Sequence, residues 1–118
     1  MPGMAANPSI FEHIKLPEDR FTIHLLEWQL PNPKETMSDY AKRMVAFIVH
    51  EDSVLLGVSF GGVLVQEMAK HIQLKKLIIV SSVKSKQELP RRMKLSRKLK
   101  LYNILPTRLI EDVDKLAK

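Results

Sequence analysis

The stretch Ser53-Val54-Leu55-Leu56-Gly57-Val58-Ser59-Phe60-Gly61-Gly62-Val63-Leu64-Val65, running on to Ile72, decides the fold. An apolar run to Val58 has the length of a buried strand. Phe60, Leu64, Met68 and Ile72 then recur at four-residue spacing, as on one face of a helix. Between them a serine is pinched by glycines two places before and two places after. Such a turn needs strained backbone angles at the serine and brings strand and helix so close that side chains at both flanking positions must be nearly absent. The serine hydroxyl is then held out at the carboxyl end of the strand. A phosphate-cradling loop would call for Lys and then Ser or Thr after its last glycine, and Gly61-Gly62-Val63 has neither.

Outward from this turn, the alternation continues. Phe21 to Trp28 and Lys76 to Ser81 read as two further buried strands rich in Leu, Ile and Val, and their near-continuous apolarity implies a parallel sheet covered on both faces. Ser38 to Val49 reads as a helix, with Tyr40, Met44, Phe47 and Ile48 on one face. Thr36, Ser38 and Asp39 supply capping residues after the breakers Pro31 and Pro33. Strand, helix, strand, helix, strand is the α/β order, with flanking helices and a sheet of three strands. Past Ser82 the pattern becomes helical only: Gln87 to Tyr102 and Thr107 to Leu116, separated by Pro106. Two parts follow, residues 1–83 as an α/β core and residues 84–118 as a basic helical segment. A three-stranded sheet leaves edges exposed, so the chain is expected to be part of something larger.

The charge divides at the same place. Residues 1–83 carry 8 basic and 9 acidic side chains and residues 84–118 carry 11 and 4, so the net +6 lies entirely in the last third. Eight basic residues from Lys84 to Lys100 face one acid, Glu88, but only Tyr102 is near enough to stack on a base, which argues against nucleic acid. The simplest reading is a solvated helix face; an anionic substrate or an acidic acyl-carrier partner is the functional alternative. With no cysteine there is no disulfide framework, thiolate nucleophile or zinc-thiolate site. The longest apolar runs fall short of the roughly 20 residues that cross a bilayer, and no signal peptide is legible, so a cytoplasmic location is expected.

Set beside the pinched serine, Pro2-Gly3-Met4-Ala5-Ala6-Asn7-Pro8-Ser9-Ile10-Phe11 resembles the oxyanion loop of the α/β-hydrolase fold, a glycine turn leading to a short helix with an aromatic residue. Many such hydrolases have histidine before this glycine; Pro2 stands there here. The resemblance covers residues 1 to about 82, and the helices beyond look like a cap. It implies a serine hydrolase acting on small-molecule carboxylic esters or thioesters without metal or cofactor. Ser59 would be the nucleophile, and the backbone N–H groups of Met4 and Phe60 would hold the oxyanion. Gly3, Gly57 and Gly61 would be the loop and elbow glycines.

A serine of this kind needs a histidine, and the histidine a carboxylate. His71 lies twelve residues along the same helix, about 18 Å away at 1.5 Å per residue, and His13, His24 and His50 precede the nucleophile. Glu111, Asp112 and Asp114 sit in a solvated helical pattern. The expectation is an amino-proximal piece of a hydrolase, lacking acid and base and inactive alone. The competing reading is a non-catalytic α/β interaction module that binds an acidic partner through its basic helices. A nucleotide-binding domain would need a glycine pattern after the first strand, and Glu27 to Asn32 contains no glycine.

Overall fold

Thr36 ends the proline-rich connection and starts the first helix, its hydroxyl accepting the Asp39 N–H at 3.1 Å. In the computed structural model, which describes residues 1–88, this helix is α1, Met37–Val45. It is followed by β1, Val54–Val58, then α2, Phe60–Met68, and β2, Lys76–Val80. A short 3-10 helix, Pro8–Phe11, precedes them, capped by the Asn7 side chain accepting from Ser9 N–H at 2.8 Å. The architecture is mixed α and β, with a small parallel sheet of two strands.

β1 and β2 pair in parallel with Leu55 opposite Leu77 and Gly57 opposite Ile79. The ladder is continued at both ends by Lys75 N–H to Ser53 O and Ser59 N–H to Val80 O, each 2.9 Å. The odd-numbered residues Ser53 and Ser59 thus turn their backbone groups toward β2. Even-numbered groups turn the other way, and there Met1 meets them: its amino group donates to Leu56 O at 2.7 Å and its carbonyl accepts from Val58 N–H at 3.1 Å. That alternation is the bonding pattern of a parallel neighbour. Met1 to Gly3 therefore lies along β1 on the side away from β2.

Both helices serve one face. α1 packs on α2, and α2 on both strands. Ala41, Met44, Leu64, Val65 and Met68 have almost no accessible surface and form the centre of the core, with Tyr40, Leu55 and Met1 around them. Tyr40 and Met44 hold the expected inward stripe of α1, but Phe47 is half exposed. The helix ends at Val45, two residues before it, so Phe47 is no longer on the helical register.

Three expectations fail. Phe21 to Trp28 is not a strand; a strand requires a ladder partner, and these residues make no ladder hydrogen bonds with any described segment. Its Phe21, Ile23 and Leu25 are about half exposed, and only Leu26 and Trp28 pack against the core. The sheet accordingly has two strands among the described residues, where three were expected. Among the described residues it is also covered on one face only, because α1 packs on α2, α2 packs on both strands, and Val54, Ile78 and Val80 remain open. Apolar runs cannot distinguish a strand covered twice from one covered once. α2 stops at Met68 instead of Ile72, since the chain must turn there to enter β2.

The chain divides into two units, Met1–Val83 and Lys84–Lys118. In the second, Lys86–Glu88 forms a 3-10 turn and Lys84 N–H donates to the Glu88 carboxylate at 2.7 Å. Of the helix expected over Gln87 to Tyr102 only Gln87 and Glu88, in that 3-10 turn, are described; its remainder and the helix expected over Thr107 to Leu116, with Arg91, Arg92 and most of the basic cluster, lie outside the described residues, as do Glu111, Asp112 and Asp114. No helix among the described residues is long and apolar enough to cross a membrane.

Candidate active site

Ser59 stands between the last residue of β1 and the first of α2 with φ 52° and ψ −122°. This is a conformation that side-chain-bearing residues rarely adopt, and at functional sites such strain typically amounts to about 1–3 kcal/mol. The surroundings enforce it. Ser59 N–H is bound to Val80 O at 2.9 Å, and Ser59 O accepts from Gly62 N–H at 2.9 Å and from the Ser82 hydroxyl at 2.6 Å. Both backbone groups of the serine are thereby held. The hydroxyl does not cap α2, the residue is exposed, and no described side chain bonds to Oγ.

The glycines account for the closeness. A β-carbon on Gly57 would meet the Gly61 carbonyl carbon and a Val65 methyl, each at 2.6 Å. One on Gly61 would sit 2.5 Å from Met1 O and closer still to Pro2 O, and one on Gly62 would strike the Ser82 side chain. Three backbones converge on this point: the amino-terminal segment, the end of β1 and the first turn of α2. Gly3 completes the group. A β-carbon on it would lie 3.4 Å from Ser59 Cβ and 3.9 Å from Ser59 Oγ. The structure thus brings together Gly3, Gly57, Ser59, Phe60 and Gly61, with Met4 following Gly3 in the chain.

After Gly3 the backbone turns sharply, with Ala5 at φ 63° and Ala6 N–H donating to Gly3 O at 3.1 Å. Among the described residues neither the Met4 N–H nor the Phe60 N–H has a hydrogen-bond acceptor. Phe60 N–H belongs to the unsatisfied first turn of α2, where the helix dipole also favours negative charge. Phe60 follows Ser59 in the chain, and Met4 follows Gly3, the residue that lies against Ser59.

The residues that hold this arrangement were not evident from pattern. The Trp28 indole N–H donates to both Pro2 O, at 3.1 Å, and Gly3 O, at 3.0 Å. Its ring stacks with both Phe60 and Tyr40, with centroids 5.7 and 6.0 Å away. The Tyr40 hydroxyl donates to Gln29 O at 2.8 Å and accepts from Gln29 N–H at 2.9 Å. Arg43 lies over the Tyr40 ring and grips both oxygens of Glu35 at 2.8 Å. That hydrogen bonding holds the Glu35 carboxyl down at about 2, against the opposing effect of burial. Burial pushes the Tyr40 phenol up, chiefly by desolvating its charged form. Along β1, on the side away from β2, partial burial of the Met1 amino group lowers it to about 6.

The histidines are elsewhere. His50 precedes β1 and its ring meets that of His24 at 4.6 Å, tilted by 43°, while Ser59 follows the strand. α2 runs back along β1, so His71, beyond its end, faces Ser38 at 3.3 Å near the strand's entry. His13 is 92% exposed and pairs with Glu12 at 3.3 Å. A strand of five residues separates the two ends by roughly 15 Å, at about 3.3 Å per residue. Two open clefts, lined by His24 to Glu27 with Met44 and Phe47, and by Ile14 to Ile23, contain none of Met4, Ser59 or Phe60. No group of three or more potential metal ligands occurs among the described residues. Comparison with known protein families, with curated proteins and with solved structures returned no match.

Proposed function

We propose that the chain carries the nucleophile and oxyanion cradle of an α/β-hydrolase-type serine hydrolase acting on carboxylic esters or thioesters. The observation that carries the reading is Ser59 at φ 52° and ψ −122°, locked between strand and helix, with Gly3 pressed to within reach of its side chain. Ser81, just after β2, also has positive φ, but Ser59 alone of the two stands between a strand and a helix with flanking glycines, an arrangement that suits a nucleophile better than a structural residue.

In the reaction, Ser59 Oγ bonds to the acyl carbon as its proton passes to a base. The carbonyl oxygen becomes an oxyanion facing the Met4 and Phe60 amides. Collapse of that intermediate breaks the bond to the leaving alkoxide or thiolate, which takes the proton from the base. Water then repeats the sequence on the acyl-enzyme. Donors aimed at charge that exists only in the transition state are worth about 3–4 kcal/mol each. His24, His50 and His71 lie toward the other end of β1, and the reading names no base among the described side chains. The chain alone is expected to acylate very slowly, and imidazole in solution can substitute for the missing ring.

The test is incubation with p-nitrophenyl acetate and imidazole, followed by intact mass measurement. An acetyl ester mapped to Ser59 by tandem mass spectrometry in the wild-type chain and absent from Ser59→Ala supports the reading. Equal labelling of both leaves the alternative, an α/β interaction module that keeps the turn as architecture.

A further inference from the structure

We infer that Trp28 is a positioning residue for the oxyanion amides, its single indole N–H setting the plane of the Gly3–Met4 peptide and its ring setting the residue that carries the second donor. This rests on the reading of Ser59 as the nucleophile. A trans peptide is planar, with N–H and C=O on opposite sides, so whatever fixes the Gly3 carbonyl fixes the line along which the Met4 N–H points. The Gly3 carbonyl is held twice, by Trp28 Nε1–H at 3.0 Å and by Ala6 N–H at 3.1 Å. The same indole hydrogen bonds Pro2 O at 3.1 Å, so two successive carbonyls of the loop converge on one donor.

Indole has a donor and no acceptor, so nothing in the ring competes for the loop amides. The ring face does a second thing. It lies at 24° to the Phe60 ring, 5.7 Å between centroids, and Phe60 is the residue whose N–H opens α2 beside Ser59. One side chain therefore ties the loop carrying one donor to the helix carrying the other. Trp28 also stacks on Tyr40, at 6.0 Å and 29°, whose hydroxyl is engaged at both Gln29 backbone groups. It is also the only tryptophan in the chain.

Two replacements separate the hydrogen bond from the packing. Trp28→Phe keeps an aromatic ring against Phe60 and Tyr40 and removes the donor. Benzothienylalanine at the same position keeps the indole shape with sulfur in place of N–H. Acetylation of Ser59 by p-nitrophenyl acetate with imidazole is followed by mass, as a function of ester concentration. Removing an oxyanion donor outright costs about 10²–10³ in rate, so a donor left in place but tilted should cost about 10-fold. The expected result is a limiting rate about 10-fold lower in the benzothienyl variant, with half-saturation and thermal midpoint unchanged, and at least as large a loss in Trp28→Phe. A wild-type limiting rate in the benzothienyl variant overturns the inference and leaves Ser59 as the nucleophile. Absence of acetylation in the wild-type chain overturns the reading of Ser59 and the inference with it. Independently, hydrogen exchange of the single indole N–H should be slowed well below that of a free indole; free exchange overturns the inference whatever the chemistry.

Discussion

A β-carbon on Gly57 would come within 2.6 Å of the Gly61 carbonyl carbon, so β1 and α2 touch backbone to backbone on either side of Ser59. Neither glycine has a positive φ. What each supplies is the missing side chain. Gly57→Ala is expected to destabilise the fold by about 3 kcal/mol or more, since the obstacle is backbone that cannot swing aside. Gly3→Ala should differ. Its β-carbon meets Ser59 at ordinary contact distance, so stability should stay within about 1 kcal/mol while acetylation of Ser59 falls. Urea titration of the two variants checks the first, and the mass assay the second.

Strain at Ser59 predicts opposite effects on stability and chemistry. Ser59→Gly removes the hydroxyl and makes φ 52° permissible, so it should raise stability by about 1 kcal/mol while abolishing acylation. Ser59→Ala loses the chemistry and keeps the strain. A glycine variant no more stable than the alanine variant in urea would mean that the turn is not strained.

Packing of the core predicts a large loss at one methionine. Met44 on α1 is about 1% exposed and lies among Leu64, Val65 and Met68. Met44→Ala should cost about 2–5 kcal/mol and loosen α1 from α2. Because Trp28 stacks on Tyr40 of the same helix, slower Ser59 acetylation should accompany it. Denaturation and the mass assay on one variant check both.

Two groups make stability depend on pH, in separate windows. Glu35 is held at about 2 by Arg43 against an ordinary 4.5, so the folded state binds its proton less readily than the unfolded chain. Its stabilisation is complete above pH 4.5 and is lost as pH falls toward 2. Glu35→Gln should flatten that acid limb. The Met1 amino group is lowered from 8.0 to about 6 by burial, so protonation opposes folding, and stability should rise as pH increases from 6 to 8. Solvent screening keeps this to about 1 kcal/mol. Acetylating the amino terminus should remove the second slope and leave the first, as thermal midpoints across pH would register.

How much of this was legible in the residues differs between the turn and its supports. The turn could be read because its constraint is local: glycines at fixed offsets, an apolar run before and a four-residue stripe after. The cap of α1 at Thr36 and the strand at Lys76 were legible for the same reason. Phe21 to Trp28 misled because apolar content reports burial, whereas a strand also needs a neighbour with free backbone groups. Met1 to Gly3 lies along β1 through two hydrogen bonds only, too few residues to leave a periodicity. Trp28 and Ser82 act on backbone carbonyls of Gly3 and Ser59, contacts for which no residue pattern exists. An isolated tryptophan ending an apolar run was the only trace of the first.

The most direct measurement is site mapping with a tagged fluorophosphonate in the presence of imidazole, read by tandem mass spectrometry. The account predicts phosphonylation at Ser59 and none at the other seven serines, with the label lost in Ser59→Ala and slowed by the isosteric replacement of Trp28. Label spread over the exposed serines, or an unlabelled Ser59, would contradict it.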